Sequence, residues 1–212
     1  MILALVLVGD EYIKEALPHI KKFIDKGWDI EILTNQLGVF DGFEKTTTYF
    51  YENKIFSYFE KILFPLKISE KYKSGVLYMD SSILEQIQDE FILNLDECDY
   101  FTYYGTWPMG QSFKDLENDV YFKYLIEFFN REGFKDYQTL IPIIEWIYYI
   151  PYNQDKIHNL IFDTERIKPV FEFTSLMYSS KYVGIGNGEG LGLSYVLLKN
   201  KVKIKRFQNL FF

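Results

Sequence analysis

Cysteine and histidine are scarce in this chain of 212 residues, which contains one cysteine, Cys98, and two histidines, His19 and His158. A single thiol excludes an internal disulfide, so nothing in the composition favours an oxidising compartment. No cysteine–histidine pairing supports a thiol nucleophile, and we interpret Cys98 as a small buried residue. The sequence also lacks a P-loop, a zinc cluster and a Gly-x-Ser-x-Gly elbow. The usual sequence signatures of P-loop NTPases, zinc enzymes and serine hydrolases are therefore absent.

Long apolar runs are missing as well. Residues 1–8 are apolar, but they have no basic flank and are soon followed by Asp10 and Glu11. The run is too short for a signal sequence with its cleavage site, or for a membrane span. We therefore expect no transmembrane segment and a cytoplasmic location.

Positive charge is in the minority, since 23 lysines and arginines face 30 aspartates and glutamates, a formal net charge of −7. Proteins that bind duplex nucleic acid usually have a basic surface, so no nucleic-acid partner is expected. Only residues 199–206 (KNKVKIKR) are clearly basic. Because lysine alternates there with valine and isoleucine, the pattern predicts a half-exposed edge strand rather than a binding tail.

Apolar and aromatic residues are abundant, at 48% and 19% of the chain, and they suffice for the packed core of one domain. Residues 2–8 form a continuous aliphatic run typical of a parallel strand covered on both faces. Residues 11–26 follow with helical spacing, with Asp10 as the predicted N-cap and Gly27 as the stop. Residues 28–33 then predict a second strand, which completes a parallel β-α-β unit without a dinucleotide-binding glycine motif.

The rest of the chain predicts further strands and helices without repeats. For residues 141–151 (IPIIEWIYYIP), periodicity does not decide between helix and strand. The predicted elements are strands at 46–51, 76–79 and 99–104, and helices at 53–71 (kinked or interrupted at Pro65), 116–130 and 191–198.

The strand at 76–79 (VLYM) ends abruptly at Asp80, Ser81 and Ser82. Small polar residues are poor strand formers and turn the chain outward. In open α/β sheets, a carboxylate at the carboxyl end of a buried strand can contact a ligand that binds in the crevice there. The alternative interpretation is an aspartate that only caps the turn after the strand.

The segment SYFEKILFP followed by VLYMDSSIL resembles nucleotide-sugar glycosyltransferases of the GT-A fold, and so does the opening β-α-β unit at residues 9–35. In that family a helix precedes a strand ending in an Asp-x-Asp motif, which holds the metal and diphosphate of the donor. Here the motif is Asp80-Ser81-Ser82, with a hydroxyl in place of the second acid. The resemblance implies one GT-A-like α/β domain over residues 1–212, with a mixed central sheet flanked by helices. Residues 1–84 would form the nucleotide-binding half and 85–212 the acceptor-side half.

The resemblance also implies the chemistry of the site. Asp80 and Ser82 would hold Mn²⁺ or Mg²⁺, hard cations that accept oxygen ligands and retain water. Asp80 and Glu189 would be the catalytic residues, because an acid before a late apolar helix contacts the donor sugar or acts in transfer in several such families. The alternative for Glu189 is a flexible turn whose acid favours the N-terminus of a helix.

The donor nucleotide would lie across the ends of the first two strands, where crevice geometry favours contacts with a uracil or guanine and its ribose. For Asp10 simple helix capping is an equal alternative. The residues predicted to bind the nucleotide are Val8, Gly9, Asp10, Tyr12, Thr34, Asn35, Lys61, Tyr78, Met79 and Ser82.

Two further pairs, Trp107-Pro108 and Glu145-Trp146, contain an aromatic side chain that could stack on the face of a sugar, and a nearby carboxylate could accept hydrogen bonds from its hydroxyls. Core packing of an aromatic-rich chain is the interpretation we favour for both pairs.

The sequence thus predicts a glycosyltransferase that moves a sugar from a UDP- or GDP-linked donor to a carbohydrate or other hydroxyl acceptor. A non-catalytic nucleotide-sugar-binding protein and a nucleotidyltransferase are the alternatives. The absence of a glycine-rich signature after the first strand counts against a nucleotidyltransferase.

Overall fold

The structure is a computed structural model that describes residues 1–53, 55–87, 101–103, 120–137, 140, 143, 146–178 and 189–206. Over these residues the fold is α/β, with one mixed sheet of seven strands in the order β3-β2-β1-β4-β6-β5-β7 and helices on both faces. The strands are β1 (Ile2–Leu7), β2 (Asp29–Thr34), β3 (Thr46–Phe50), β4 (Val76–Met79), β5 (Phe101–Tyr103), β6 (Ile147–Ile150) and β7 (Ile204–Arg206). The helices are α1 (Asp10–Asp25), α2 (Glu60–Tyr72), α3 (Val120–Arg131), α4 (Gln154–Tyr178) and α5 (Glu189–Lys199), with a short 3₁₀ helix at Ser81–Ile83.

Strand β1 lies inside the sheet, and all of its residues are buried. Side chains alternate along a strand, so Ala4 and Val6 pack with the helices of one face. Leu3 and Leu5 pack with α1 on the other face. The continuous aliphatic run is therefore explained by burial on both sides, and the predicted parallel β1-α1-β2 unit is confirmed.

Helix α1 begins differently from the prediction. Gly9, with φ of 125°, occupies the N-cap position, and no side chain caps the helix, so the prediction of Asp10 as the N-cap is wrong. The end is as predicted, because Gly27 adopts φ of 84° and its N–H donates to the Ile24 carbonyl.

The sheet reverses its winding at β1. Strands β2 and β3 lie on one side of β1, and β4 lies on the other, parallel to it. Side chains of α1 belong to the core of one face, and those of α2 to the core of the opposite face. In open α/β sheets such a reversal opens a crevice at the carboxyl ends of the two strands concerned. The chain leaves β1 at Val8 and β4 at Asp80, so these two positions lie where such a crevice is expected.

Helix α2 passes through Pro65 without interruption, and it begins only at Glu60, later than predicted. Proline lacks the N–H that would bond the carbonyl four residues earlier, which here belongs to Lys61. The Tyr148 hydroxyl donates to that carbonyl instead. A side chain from β6 thus replaces the missing helical hydrogen bond.

The later elements complete the sheet. Strand β6 shows that residues 147–150 of the undecided region form a strand, antiparallel to β4 and β5. Strand β7 pairs with β5 at the end of the described strand order, and it is shorter than the predicted edge strand because α5 extends to Lys199. The parts of the predictions on residues 99–100, 104 and 116–119 lie outside the described residues. In the described part of the chain no helix has the length and hydropathy needed to cross a membrane.

Candidate functional site

Asp80 lies at the carboxyl end of β4, as predicted, and is N-terminal to the 3₁₀ helix. Its backbone N–H donates to the Trp146 carbonyl at 2.7 Å, which ties the strand end to the residue before β6. The Asp80 side chain is 14% exposed, so it is neither buried in the core nor fully solvated. By topology it lies where a crevice between β1 and β4 is expected.

Both carboxylate oxygens of Asp80 have protein partners. The Lys61 Nζ donates to Oδ2 at 3.0 Å, and the Tyr78 hydroxyl donates to Oδ1. The Lys61 side chain is 13% exposed, so water screens this ion pair only weakly. Two residues from the predicted site, Lys61 and Asp80, are therefore in direct contact.

Lys61 is held in place by its position in the first turn of α2. Its Nζ lies 5.4 Å from the centre of the Tyr58 ring, within cation–π range. The Tyr148 hydroxyl holds its carbonyl, and the Tyr148 ring stacks on Tyr78 with centroids 4.9 Å apart. Aromatic residues thus restrain both the backbone carbonyl and the ammonium group of Lys61.

The side chains of Tyr78 and Met79 do not line the site, because both are 0% exposed. Strand β4 is short and buried on both faces, so its side chains have no route to solvent. The structure therefore does not support the predicted contacts of the Tyr78 and Met79 side chains with the nucleotide. The Tyr78 hydroxyl instead orients the carboxylate of Asp80.

The ends of β1 and β2 meet beside this pair. The Gly9 N–H donates to Asn35 Oδ1 at 3.0 Å, which joins two predicted nucleotide contacts. The Gln36 amide donates to Asp10 Oδ1, and the Gln36 backbone N–H donates to Thr34 Oγ1 at 3.2 Å. Thr34 is fully buried, so its hydroxyl stabilises the turn and does not reach a ligand, contrary to expectation. Asn35 and Asp10 are exposed at the same edge.

Tyr12 provides a half-open aromatic surface at the start of α1. Its side chain is 40% exposed, and Val8 just before the helix is half-buried. Burial raises the pKa of Tyr12, and the neighbouring Tyr58, to which it is hydrogen-bonded, raises the pKa further, while Lys61 opposes the shift. Tyr12 therefore remains neutral near the Lys61–Asp80 pair.

The two serines after Asp80 differ in environment. Ser81 is buried, and its hydroxyl donates to Glu15 Oε2 at 2.6 Å, which fastens the 3₁₀ helix to α1. Ser82 is exposed, and its carbonyl accepts from the Gln86 amide at 3.3 Å. The hydroxyl in the predicted metal position is therefore on the surface.

A divalent cation does not fit this arrangement as it stands. Within the described part of the chain, no three acidic, histidine or cysteine side chains are grouped for metal binding. A cation bound to Oδ2 of Asp80 would lie about 4 Å from the Lys61 ammonium, from the metal–oxygen distances of such sites. At an effective dielectric constant of 20, the repulsion between charges of +2 and +1 would be about 8 kcal/mol. The Lys61 ammonium thus lies 3.0 Å from the carboxylate oxygen that was expected to bind the cation.

The remaining predicted catalytic residue, Glu189, is the first residue of α5, and its side chain lies outside the described part. One turn later, a Cβ built on Gly192 would lie 2.8 Å from the Phe59 ring. Because Phe59 directly precedes α2, the backbone places the start of α5 beside the start of α2. Residues 184–188 (GIGNG), the glycine-rich stretch before α5, lie outside the described residues.

The other candidates lie outside the described residues or away from the site. Cys98, Trp107, Pro108 and Glu145 belong to the first group. His158 is on α4, with its Nδ1 3.4 Å from Glu70 Oε1, and His19 is half-buried on α1.

A cavity of about 390 Å³ lies at the other end of β6, next to Ile150, Tyr152 and Lys156. Strand β6 runs antiparallel to β4, so this end is opposite to the end that contacts Asp80. The cavity contains none of the predicted site residues. Two lysines, Lys156 and Lys203, line the cavity, but no carboxylate does so among the described residues, whereas the Asp80 site brings a carboxylate and an ammonium group together.

Two residues that border the site were not among the residues predicted to bind the nucleotide or to act in catalysis. Tyr58 lies within the segment quoted for the resemblance, but with 18 tyrosines in the chain it had no distinguishing feature. Trp146 was assigned to core packing, yet it is 37% exposed and directly contacts Asp80 through its carbonyl. Its pairing with a polar neighbour in the sequence was the available signal.

Comparison of the sequence with models of known protein families and with curated proteins gives no match. The class that the structure defines is an α/β fold with a mixed central sheet flanked by helices, and with polar side chains at its reversal point.

Proposed function

We propose that this protein is a glycosyltransferase that uses a nucleotide diphosphate sugar and binds it at the carboxyl ends of β1 and β4. The observation that carries the proposal is the contact between Lys61 and Asp80 at the point where the sheet reverses. The GT-A resemblance of the segments containing these two residues agrees with this placement.

The edge of the sheet offers suitable groups for each part of such a donor. The exposed Asn35 amide and the half-open Tyr12 ring suit the hydrogen-bonding edge and the face of a base. The positive charge of Lys61 suits a phosphate. Trp146, half-exposed beside Asp80, offers an aromatic surface for the sugar.

In the proposed reaction the bond between the anomeric carbon and the diphosphate oxygen breaks, and a bond to the acceptor oxygen forms. The nucleoside diphosphate leaves with the bonding electron pair, and the acceptor hydroxyl loses its proton to a base. Stabilising the negative charge on the leaving diphosphate is the main catalytic contribution. Glu189, at the start of α5, is the proposed group that orients or deprotonates the acceptor.

A non-catalytic nucleotide-sugar-binding protein is the second candidate. One observation favours it: the position of the second motif acid is held by the exposed hydroxyl residue Ser82. Such a protein would bind the donor and would release neither free sugar nor product.

The test is to incubate the protein with UDP- and GDP-linked sugars, with and without Mn²⁺, and to measure release of the nucleoside diphosphate. We expect release by the wild type and a loss of at least about tenfold in Asp80→Ala, since one charge-assisted contact is worth about 1.5–3 kcal/mol. Asp25→Asn, which alters an exposed carboxylate on α1, is the control and should retain activity.

The other outcomes separate the alternatives. Donor binding without release under every condition supports the non-catalytic protein. Conversion of a nucleoside triphosphate with release of diphosphate supports a nucleotidyltransferase. No interaction with any of these nucleotides contradicts the proposal.

A further inference from the structure

We infer that Lys61, and not a divalent cation, is the positive group that holds the diphosphate at this site, with Asp80 as the residue that positions Lys61. The inference rests on the proposed function for the identity of the ligand. It reverses the roles expected from an Asp-x-Asp motif, in which the aspartate itself holds the metal.

The first step is the bonding of Asp80. Its two oxygens accept from Lys61 and from the Tyr78 hydroxyl, so the protein has already supplied the positive and polar partners that the carboxylate needs. A metal ligand would instead direct its oxygens at an open position for the cation. The second motif acid, which would have added charge for a cation, is replaced by Ser82.

The second step is the way Lys61 is held. Its stem begins in the first turn of α2, its carbonyl accepts from Tyr148, and its ammonium lies near the Tyr58 ring and against Asp80. These contacts restrict a side chain that is otherwise flexible. A fixed ammonium group at the edge of a crevice reduces the reorganisation needed to stabilise a developing negative charge.

The third step is compatibility with an anion. A lysine ammonium has three N–H donors, so one donor can remain on Asp80 while a phosphate oxygen is bound by the same group. The carboxylate of Asp80 keeps the Lys61 side chain oriented. The diphosphate would meet an ammonium whose position does not depend on the supply of metal ions.

The experiment is calorimetric titration of UDP, GDP and inorganic diphosphate, first with excess EDTA and then with Mn²⁺. The proteins are the wild type, Lys61→Met, Lys61→Arg, Asp80→Asn and the surface control Lys21→Met, whose lysine pairs with an exposed aspartate on α1. Thermal unfolding of each variant verifies that it is folded, and Lys61→Arg keeps the positive charge if Lys61→Met does not fold.

The inference predicts that the wild type binds diphosphate in EDTA and that Mn²⁺ changes the affinity little. Lys61→Met should weaken binding in EDTA by about tenfold or more, the effect of losing one charge-assisted hydrogen bond. Lys61→Arg should retain most of the affinity, and Asp80→Asn should lose less than Lys61→Met. Without the competing ammonium, Lys61→Met should also gain a dependence on Mn²⁺.

Binding of diphosphate by the wild type only when Mn²⁺ is present would overturn the inference. Unchanged binding by Lys61→Met, or no diphosphate binding under any condition, would also overturn it. Failure of the proposed function is a separate result: inorganic diphosphate would bind in EDTA through Lys61, but no nucleotide sugar would be bound or cleaved. Turnover of a nucleotide sugar that requires Mn²⁺ would leave the proposed function standing and overturn this inference.

Discussion

The Lys61–Asp80 ion pair should stabilise the fold far more than an ion pair on the surface. The comparison is available within the molecule, because Lys21 and Asp25 form a pair on α1 at 2.6 Å with side chains 72% and 59% exposed. The site pair has a longer distance, 3.0 Å, but exposures of only 13% and 14%. By distance alone the Lys21–Asp25 pair would be the stronger of the two, whereas by burial the Lys61–Asp80 pair would be stronger. We expect burial to have the larger effect.

The expected magnitude follows from the geometry. Two unit charges 3.0 Å apart attract by about 5–6 kcal/mol at an effective dielectric constant of 20. Part of this attraction is offset by desolvation of both groups, which leaves an expected coupling energy of about 2 kcal/mol. For Lys21 and Asp25, solvent screening and the loss of side-chain freedom leave about 0.3–0.5 kcal/mol, the usual value for an exposed pair one turn apart.

The assay is a double-mutant cycle in urea. Free energies of unfolding are measured for the wild type, Lys61→Met, Asp80→Asn and the double variant, and the same cycle is made with Lys21→Met and Asp25→Asn. Lys61→Met alone should be the most destabilised variant of the first cycle, since it leaves a largely buried carboxylate with one partner fewer. In 1 M salt the coupling of the surface pair should decrease more than that of the site pair.

A coupling energy for Lys61 and Asp80 below about 0.5 kcal/mol, the range of an exposed pair, would refute this reasoning. It would mean that the two groups separate readily in solution, and a lysine that is not held by Asp80 could not be a fixed diphosphate ligand.

Three further predictions concern stability and are measured by urea unfolding. Gly9→Ala should cost about 1–3 kcal/mol, because φ of 125° is strained for a residue with a Cβ, whereas Gly42→Ala, where a Cβ meets nothing within 4 Å, should be nearly neutral. Gly192→Ala should cost about 1–3 kcal/mol despite better helix propensity, since its Cβ would lie 2.8 Å from the Phe59 ring; an unchanged stability would contradict this close packing. Burial raises the pKa of the Tyr49 hydroxyl above its ordinary value of 10.0. The stability that Tyr49 contributes should therefore be lost as the pH rises past about 10. Between pH 9 and 11, Tyr49→Phe should lose less stability than the wild type.

The first elements of the fold could be predicted from the sequence because their signals are local. The aliphatic run of β1 and the residues of β4 predict strands by composition alone, and Gly27 marks the end of α1. The polar residues after β4 mark its end equally well. An aspartate at the carboxyl end of a central strand could therefore be predicted from one stretch of sequence.

The errors arose where distant residues decide local structure. Residues 53 and 55–59 do not continue α2, because the Tyr51 hydroxyl accepts from the Ser57 N–H at 3.1 Å and donates to the Ile55 carbonyl at 3.0 Å. Pro65 does not interrupt α2, because Tyr148 supplies the missing hydrogen bond from far along the chain. Neither contact has a signature in the adjacent sequence.

Helix α4 shows a different limit of sequence patterns. It is a single helix of 25 residues, but its sequence is mixed and predicts no single apolar stripe. The helix contacts α2, α3 and α5. Its buried face includes the polar residues Asp163 and Thr164, whereas Phe162 is 57% exposed. Polar residues on the buried face and an apolar residue on the exposed face obscure the pattern expected of an amphipathic helix.

The sequence predicted individual residues of the site but not the contacts between them. Lys61 and Asp80 are 19 residues apart, and the sequence suggested each as a separate contact of the donor. Their ion pair depends on the packing of α2 against β4 and on two tyrosines, Tyr78 and Tyr148, that fix its ends. The direct contact is what changes Asp80 from an expected metal ligand to a proposed positioning residue.

The most direct test of the central claim is a crystal structure of the protein soaked with UDP or GDP in the presence of a chelator. The account predicts a phosphate oxygen at about 2.7–2.9 Å from the Lys61 Nζ, the length of a charge-assisted hydrogen bond, with the base near Asn35 and Tyr12. A nucleotide bound instead in the cavity beside Tyr152, or phosphates that contact neither Lys61 nor any group at the ends of β1 and β4, would contradict it.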